Sequence, residues 1–155
     1  MWLEKHLRHR SGFGVHSPML YRVVKGAMMP RRIVGNDHDL YKALRQVGVG
    51  RRTATRLQNL YTLESHTAWR INEPIGEGEL GIATTLASDE RVRLMAESNS
   101  GNKRSTLCLL HPFGQKMRRT LCKRLTEEHR SMSASKPSLT LFFTREDLHK
   151  QHIVL

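Results

Sequence analysis

Acidic and aromatic side chains are both scarce in this chain. Nine aromatic residues, two Trp, three Tyr and four Phe, make up 6% of the 155 positions, so a core must be built mainly from aliphatic groups. Fourteen Asp and Glu face twenty-six Lys and Arg, leaving a net charge of +12. That excess disfavours cationic partners and favours polyanions, through counterion release and electrostatic steering. No apolar run approaches the roughly 20 residues needed to span a bilayer. The opening MWLEKHLRHR is charged throughout and lacks the apolar stretch of a secretory signal. Cysteine occurs only at 108 and 122. Cys108 and Cys122 are therefore expected as free thiols in a reducing, cytoplasmic setting, with no disulfide framework.

Histidine is plentiful. His6, His9 and His16 lie close together in sequence, as do His149 and His152. No cysteine or carboxylate supplies zinc-ligand spacing around them, so no metal site is expected. No zinc-finger, RRM or KH signature accompanies the basic charge, and any contact with nucleic acid is expected to be electrostatic and unspecific.

Local signals divide the chain in two. Residues 2–9 read as a short basic helix. Gly12 and Gly14 mark a tight loop with Phe13 turned inward. Ser17-Pro18 is a helix start, with a hydroxyl to cap an orphan N–H and a proline where its missing N–H costs nothing. That helix is expected over about 18–28, stopping near Pro30. Asn36 and Asp37 can cap a third helix carrying Leu40, Leu44 and Val47 on one face, closed by Gly48 and Gly50. A fourth is expected over 52–63, where Ala54, Leu57, Leu60 and Tyr61 keep helical spacing.

From residue 68 the pattern changes. AWRIN (68–72), RVRLMAE (91–97), STLCLL (105–110), LTLFF and HIVL read as strands, the last two as an antiparallel pair. GEGELGIATTLA (76–87) reads as a glycine-rich turn feeding a helix, and SMSASKPS (131–138) as a loop. Residues 114–129 read as a basic helix with Met117, Leu121 and Leu125 as its apolar stripe. Lys116, Arg118, Arg119, Lys123 and Arg124 make it the best candidate polyanion patch. Strands alternating with helices behind a helical prefix give an α/β sandwich.

Gly76, Gly78 and Gly81 spell G-x-G-x-x-G between a candidate strand and a candidate helix, and Glu97 follows 19 residues after Gly78. In a nucleotide-cofactor site such glycines let the backbone approach the ligand, and the later acid reaches a ribose hydroxyl. Glu77 and Glu79 inside the loop would repel a pyrophosphate. S-adenosylmethionine has no phosphate and would tolerate them.

At this point the chain resembles a bacterial group of class I S-adenosylmethionine-dependent methyltransferases related to the catechol-type O-methyltransferases. Four segments carry the resemblance: GFGVHSP (12–18), ELGIATTLA (79–87), LCLLHPFGQKM (107–117) and LFFTREDLHKQHIVL (141–155). The first is similar to the group's opening, the second to its cofactor loop, the third to a strand end and helix start, and the fourth to its final hairpin. The resemblance implies one domain over 1–155. A helical prefix (1–63) would precede a shortened Rossmann-like methyltransferase sandwich (68–155) ending in an antiparallel hairpin. It also implies that Gly76, Gly78 and Gly81 hold the methionine part of S-adenosylmethionine and Glu97 its ribose.

Two departures bear on activity. Only eight residues separate Glu97 from Thr106, where the group carries further strands and helices. Cys108 and Leu109 stand where the group has an acidic pair, and neither binds a hard cation. Three readings stay open: a methyltransferase acting on an unknown acceptor, a non-catalytic remnant serving as a binding or oligomerisation module, and a basic nucleic-acid-binding protein. A shortened sheet would also leave apolar surface for a second copy to cover, which makes a homodimer a further expectation.

Overall fold

The computed structural model describes residues 17–155. The helix expected over 2–9, the Gly12–Gly14 loop with Phe13, and His6, His9 and His16 lie outside the described residues. The chain separates into two compact units. One runs to Ser65 and includes Val154–Leu155, and the other is His66–Ile153. Among the described residues no helix is long and apolar enough to cross a membrane.

The first unit is helical, as its periodicity requires. Helix α1 (Pro18–Val23) begins on the expected cap, with Ser17 Oγ accepting from Leu20 N–H at 3.3 Å and Pro18 in the first turn. It continues as a π-helical turn over Val24–Met28. Leu20, Val23, Val24, Ala27 and Met28 are all buried. Helix α2 (Asp39–Gln46) buries Leu40 and Leu44. Asp37 serves its start by accepting from Asp39 N–H at 2.9 Å, while the cap position itself is His38. Val47 is 38% exposed, off the face expected for it, because the helix has already ended at Gln46. The chain then turns through Gly48, whose φ of +89° favours glycine.

Helix α3 (Arg51–Leu63) is the axis of this unit. Ala54, Leu57 and Leu60 are fully buried, and so nearly are two amides, Gln58 and Asn59. Those amides tie the neighbouring segments to α3. Gln58 Oε1 accepts from Tyr41 N–H at 2.9 Å, and Asn59 Oδ1 accepts from Val34 N–H at 2.9 Å. Asn59 Nδ2 also donates to the Arg32 carbonyl at 3.0 Å. Buried amides are tolerated here because their polar atoms find backbone partners.

From His66 onward the chain is α/β, and only Val154 of its last strand groups with the first unit. The elements here are β1 (Trp69–Ile71), β2 (Leu80–Ala83), α4 (Asp89–Ser100), β3 (Arg104–Leu110), α5 (Lys116–Glu128), β4 (Met132–Lys136), β5 (Leu139–Arg145) and β6 (Gln151–Val154). The six strands form one sheet in the order β1-β2-β3-β5-β4-β6. The first three run parallel, and β5 runs antiparallel to both β3 and β4. A mixed sheet of this kind is compatible with a Rossmann-like arrangement.

Four expectations are corrected. Residues 91–97 belong to helix α4, not a strand. Val92, Met95 and Asn99 are buried at helical spacing, and Ser88 caps the helix by accepting from Arg91 N–H at 3.1 Å. Residues 80–83 are strand β2, so the glycine-rich stretch feeds a strand and no helix. MSASK (132–136) is strand β4, with Ser133 and Ser135 satisfied by side-chain partners. Finally, LTLFF and HIVL are not neighbours, because β4 lies between β5 and β6. The hairpin is β4–β5. The stripe expected on α5 is also incomplete: Leu121 and Leu125 are buried, while Met117 is 73% exposed.

Leu107, Leu109, Phe142, Val92, Met95 and Leu121 share one core cluster. Cys108 and Cys122 are free and buried, and burial pushes both thiols up. We expect no reaction of either with a thiol-specific reagent in the native protein and two adducts per chain after denaturation without reductant. One or no adducts in denaturant would contradict free thiols. Replacing Ser17 with Ala should cost about 1 kcal/mol in a denaturant titration, the usual loss for a helix cap. An unchanged midpoint would show that the cap contributes nothing.

Candidate functional site

The three glycines do not assemble as the sequence pattern anticipates. Gly76 and Gly78 lie in the turn before β2, and Gly81 lies inside β2. In open α/β sheets ligands bind outside the carboxyl ends of the parallel strands. This turn is at the amino end of β2, beside the C-terminal end of α4.

The turn is filled by its own side chains. Glu79 Oε2 accepts from Gly76 N–H at 3.1 Å, and a Cβ on Gly76 would meet Glu79 Oε1 at 2.8 Å. Arg70 clamps the same carboxylate, with Nε at 2.9 Å and Nη2 at 3.2 Å. That bidentate bond, with the Gly76 amide, holds the Glu79 carboxyl below the usual carboxylate range. Gly78 has φ +73°, and its carbonyl accepts from Thr67 N–H at 3.0 Å. Gly81 is small for a packing reason, because a Cβ there would fall inside the Ile75 side chain. The turn is also tied to the end of α4. Ser98 Oγ accepts from Ile75 N–H at 2.8 Å, and Glu77 accepts from Lys103 N–H at 3.0 Å. The three glycines are therefore occupied by Glu79, Thr67 and Ile75, and this arrangement does not fit a cofactor loop.

Glu97 sits on the last turn of α4 instead of at a strand end. With Arg124 it lines a cavity of about 270 Å³ between α4 and α5, floored by Leu107, Leu121 and Phe142. Arg93 and Glu128 stand at the same rim. His129 closes one side. Its Nε2 donates to the Phe143 carbonyl at 2.7 Å, and burial pushes its pKa below the ordinary value for histidine.

The polyanion patch is smaller than the sequence implied. Lys116, Arg119, Lys123 and Arg124 are exposed, the first three on one stripe of α5. Arg118 is buried: its Nη2 donates to the Ala87 carbonyl and its Nε lies 3.8 Å from Asp89 Oδ1. It serves as a tie between α5 and the turn ahead of α4. Glu127 and Glu128 then follow at the helix end, where acids oppose the dipole and dilute the patch.

One pairing escaped the sequence reading. Ser133 Oγ lies 2.7 Å from His152 Nδ1, and Ser135 Oγ 3.3 Å from His152 Nε2. Only the adjacency of β4 and β6 brings them together, and no spacing rule announces it. Ser133 is 2% exposed, which leaves no approach for an acyl substrate. Among the described residues no group of three or more His, Cys, Asp or Glu is placed to hold a metal. No protein-family model, curated protein or solved structure matches the chain.

Two substitutions probe the turn. Gly81→Ala should destabilise by about 1–3 kcal/mol, the usual range for overpacking, read from the denaturation midpoint. Glu79 has a lowered folded pKa, so its contribution is present above the ordinary carboxylate pKa and is lost as pH falls through the folded value. Glu79→Gln should therefore flatten the acid limb of the stability profile and leave its slope near pH 7 unchanged. An acid limb identical to wild type would show that the clamp contributes nothing.

Proposed function

We propose that this protein is a non-catalytic binding protein for polyanions, built on a methyltransferase-like α/β framework. The observation that carries the reading is the distribution of charge. Residues 17–65 hold nine Lys and Arg against three acids, Asp37, Asp39 and Glu64. Residues 66–153 hold fourteen against ten. A concentrated surplus of exposed cations is the electrostatic footprint of a nucleic-acid or related polyanion surface. The filled glycine turn and the absence of an acidic pair at Cys108 and Leu109 weigh against methyl transfer.

The test is fluorescence anisotropy with a labelled duplex at 50 and 200 mM salt. Binding at 50 mM that weakens about tenfold or more by 200 mM is expected, since two or more neutralised phosphates give such a slope. No binding at 50 mM, or tight salt-insensitive binding, would overturn the reading. The second reading, an active methyltransferase, is favoured by the resemblance at Gly12–Pro18 and over the C-terminal strands. Titration calorimetry with S-adenosylmethionine discriminates the two. Micromolar binding abolished by Gly78→Val would return the protein to the enzyme class.

A further inference from the structure

The end of the α2–α3 hairpin carries four cations within eleven residues, Lys42, Arg45, Arg51 and Arg52, all exposed. The turn that joins the helices is pinned from inside. Val49 is 6% exposed, its N–H donates to the Leu44 carbonyl at 3.0 Å, and Gly48 N–H donates to the Arg45 carbonyl at 3.2 Å. Arg45 Nη1 donates across the turn to the Val49 carbonyl at 3.0 Å, which places its guanidinium beside the start of α3. The outer surface of the turn is bare. A Cβ on Gly48 or Gly50 would meet nothing within 4 Å.

The charges here are arranged at a cost. Arg51 and Arg52 occupy the first turn of α3, which has no acid, so both stand at the positive end of a helix. Neither has an ion-pair partner among the described residues. The one acid of α2, Asp39, opens that helix: it lies one turn before Lys42 and six residues, about 9 Å of rise, before Arg45. An anionic partner would relieve the repulsion that the fold leaves in place. The stripe on α5 differs in this respect, since Glu127 and Glu128 are beside it.

We propose that this hairpin end is the surface that docks on the phosphate backbone of a nucleic-acid duplex, with Lys42, Arg45, Arg51 and Arg52 as the phosphate contacts. The inference rests on the polyanion reading above and locates it. A nucleic acid suits the site better than a membrane, because Val47 is the only partly exposed large apolar side chain at the turn and supplies no anchor for lipid. The contacts proposed are to phosphates, which fix position on a duplex without reading its sequence.

The experiment compares the full chain with R51E/R52E and with K116E/R119E/K123E, by anisotropy on a DNA duplex and an RNA duplex of one sequence. R51E/R52E places acids in the first turn of a helix, so it should fold and melt no lower than wild type. It is expected to weaken duplex binding at least tenfold at 50 mM salt. It should also reduce the salt slope by about 1.8, two phosphates' worth. The α5 variant should lose less than the hairpin variant on both duplexes. Preference for one duplex identifies which nucleic acid is the partner. If wild type binds and R51E/R52E binds equally well, or the α5 variant loses as much or more, the hairpin is not the surface while the polyanion reading stands. If wild type binds neither duplex, both fail. Tighter capture by phosphatidylserine vesicles than by either duplex, lost in R51E/R52E, would overturn the nucleic-acid assignment in favour of a membrane surface.

Discussion

The α/β unit depends on the antiparallel ladder between β3 and β5. Seven residues pair without a break, from Arg104 opposite Arg145 to Leu110 opposite Leu139. Side chains alternate across a strand, so this register decides which face of the sheet each residue joins. It sends Leu107, Leu109 and Phe142 to the side where α4 and α5 bring Val92, Met95 and Leu121. A slip of one residue would carry that whole set to the other face. The ladder also sets a difficulty at its end, where two arginines stand opposite each other. Asp147 eases it, taking the Arg145 guanidinium through two 3.0 Å bonds.

How much of this was legible follows from the kind of signal each segment carries. Ser17-Pro18, the Leu40/Leu44 pair and the α3 spacing are local and self-contained, and those helices stand where the sequence put them. β3 and β5 are continuous apolar runs of strand length. The strand expectation over 91–97 comes from Arg91-Val92-Arg93, which alternates like a strand inside what is helix α4. The better guide was Ser88-Asp89-Glu90, a cap followed by acids in the first turn. Serine favours loops, which is why β4 has no strand signal, whereas here Ser133 and Ser135 are buried against His152 and Thr140. Such pairing is a property of neighbouring strands and has no local trace.

The candidate site shows the same division. The glycines were visible, but their meaning turned on where β2 begins. With β2 starting at Leu80, Gly81 becomes a packing residue under Ile75, and Gly76 becomes the partner of Glu79. Arg118 looked like a surface cation until the Ala87 carbonyl claimed it. Composition likewise reported the size of the charge surplus and concealed its address. Glu79, Glu127 and Asp147 each sit beside bases of the α/β unit. Arg51 and Arg52, in a first helical turn without an acid, have no such company.

Strand order has a consequence for how the chain is made. β5 is placed between β3 and β4 although both precede it in sequence. A growing chain must therefore carry β3, six of whose seven residues are destined for burial, with one edge unpaired until Arg145 has been added. At 5–20 residues per second the 35 residues from Leu110 to Arg145 take roughly 2–7 s. Over that interval β3 offers an open apolar edge to any other nascent strand. Slowing translation across 111–138 would lengthen that exposure and raise the aggregated fraction, whereas the same delay placed after 145 would not.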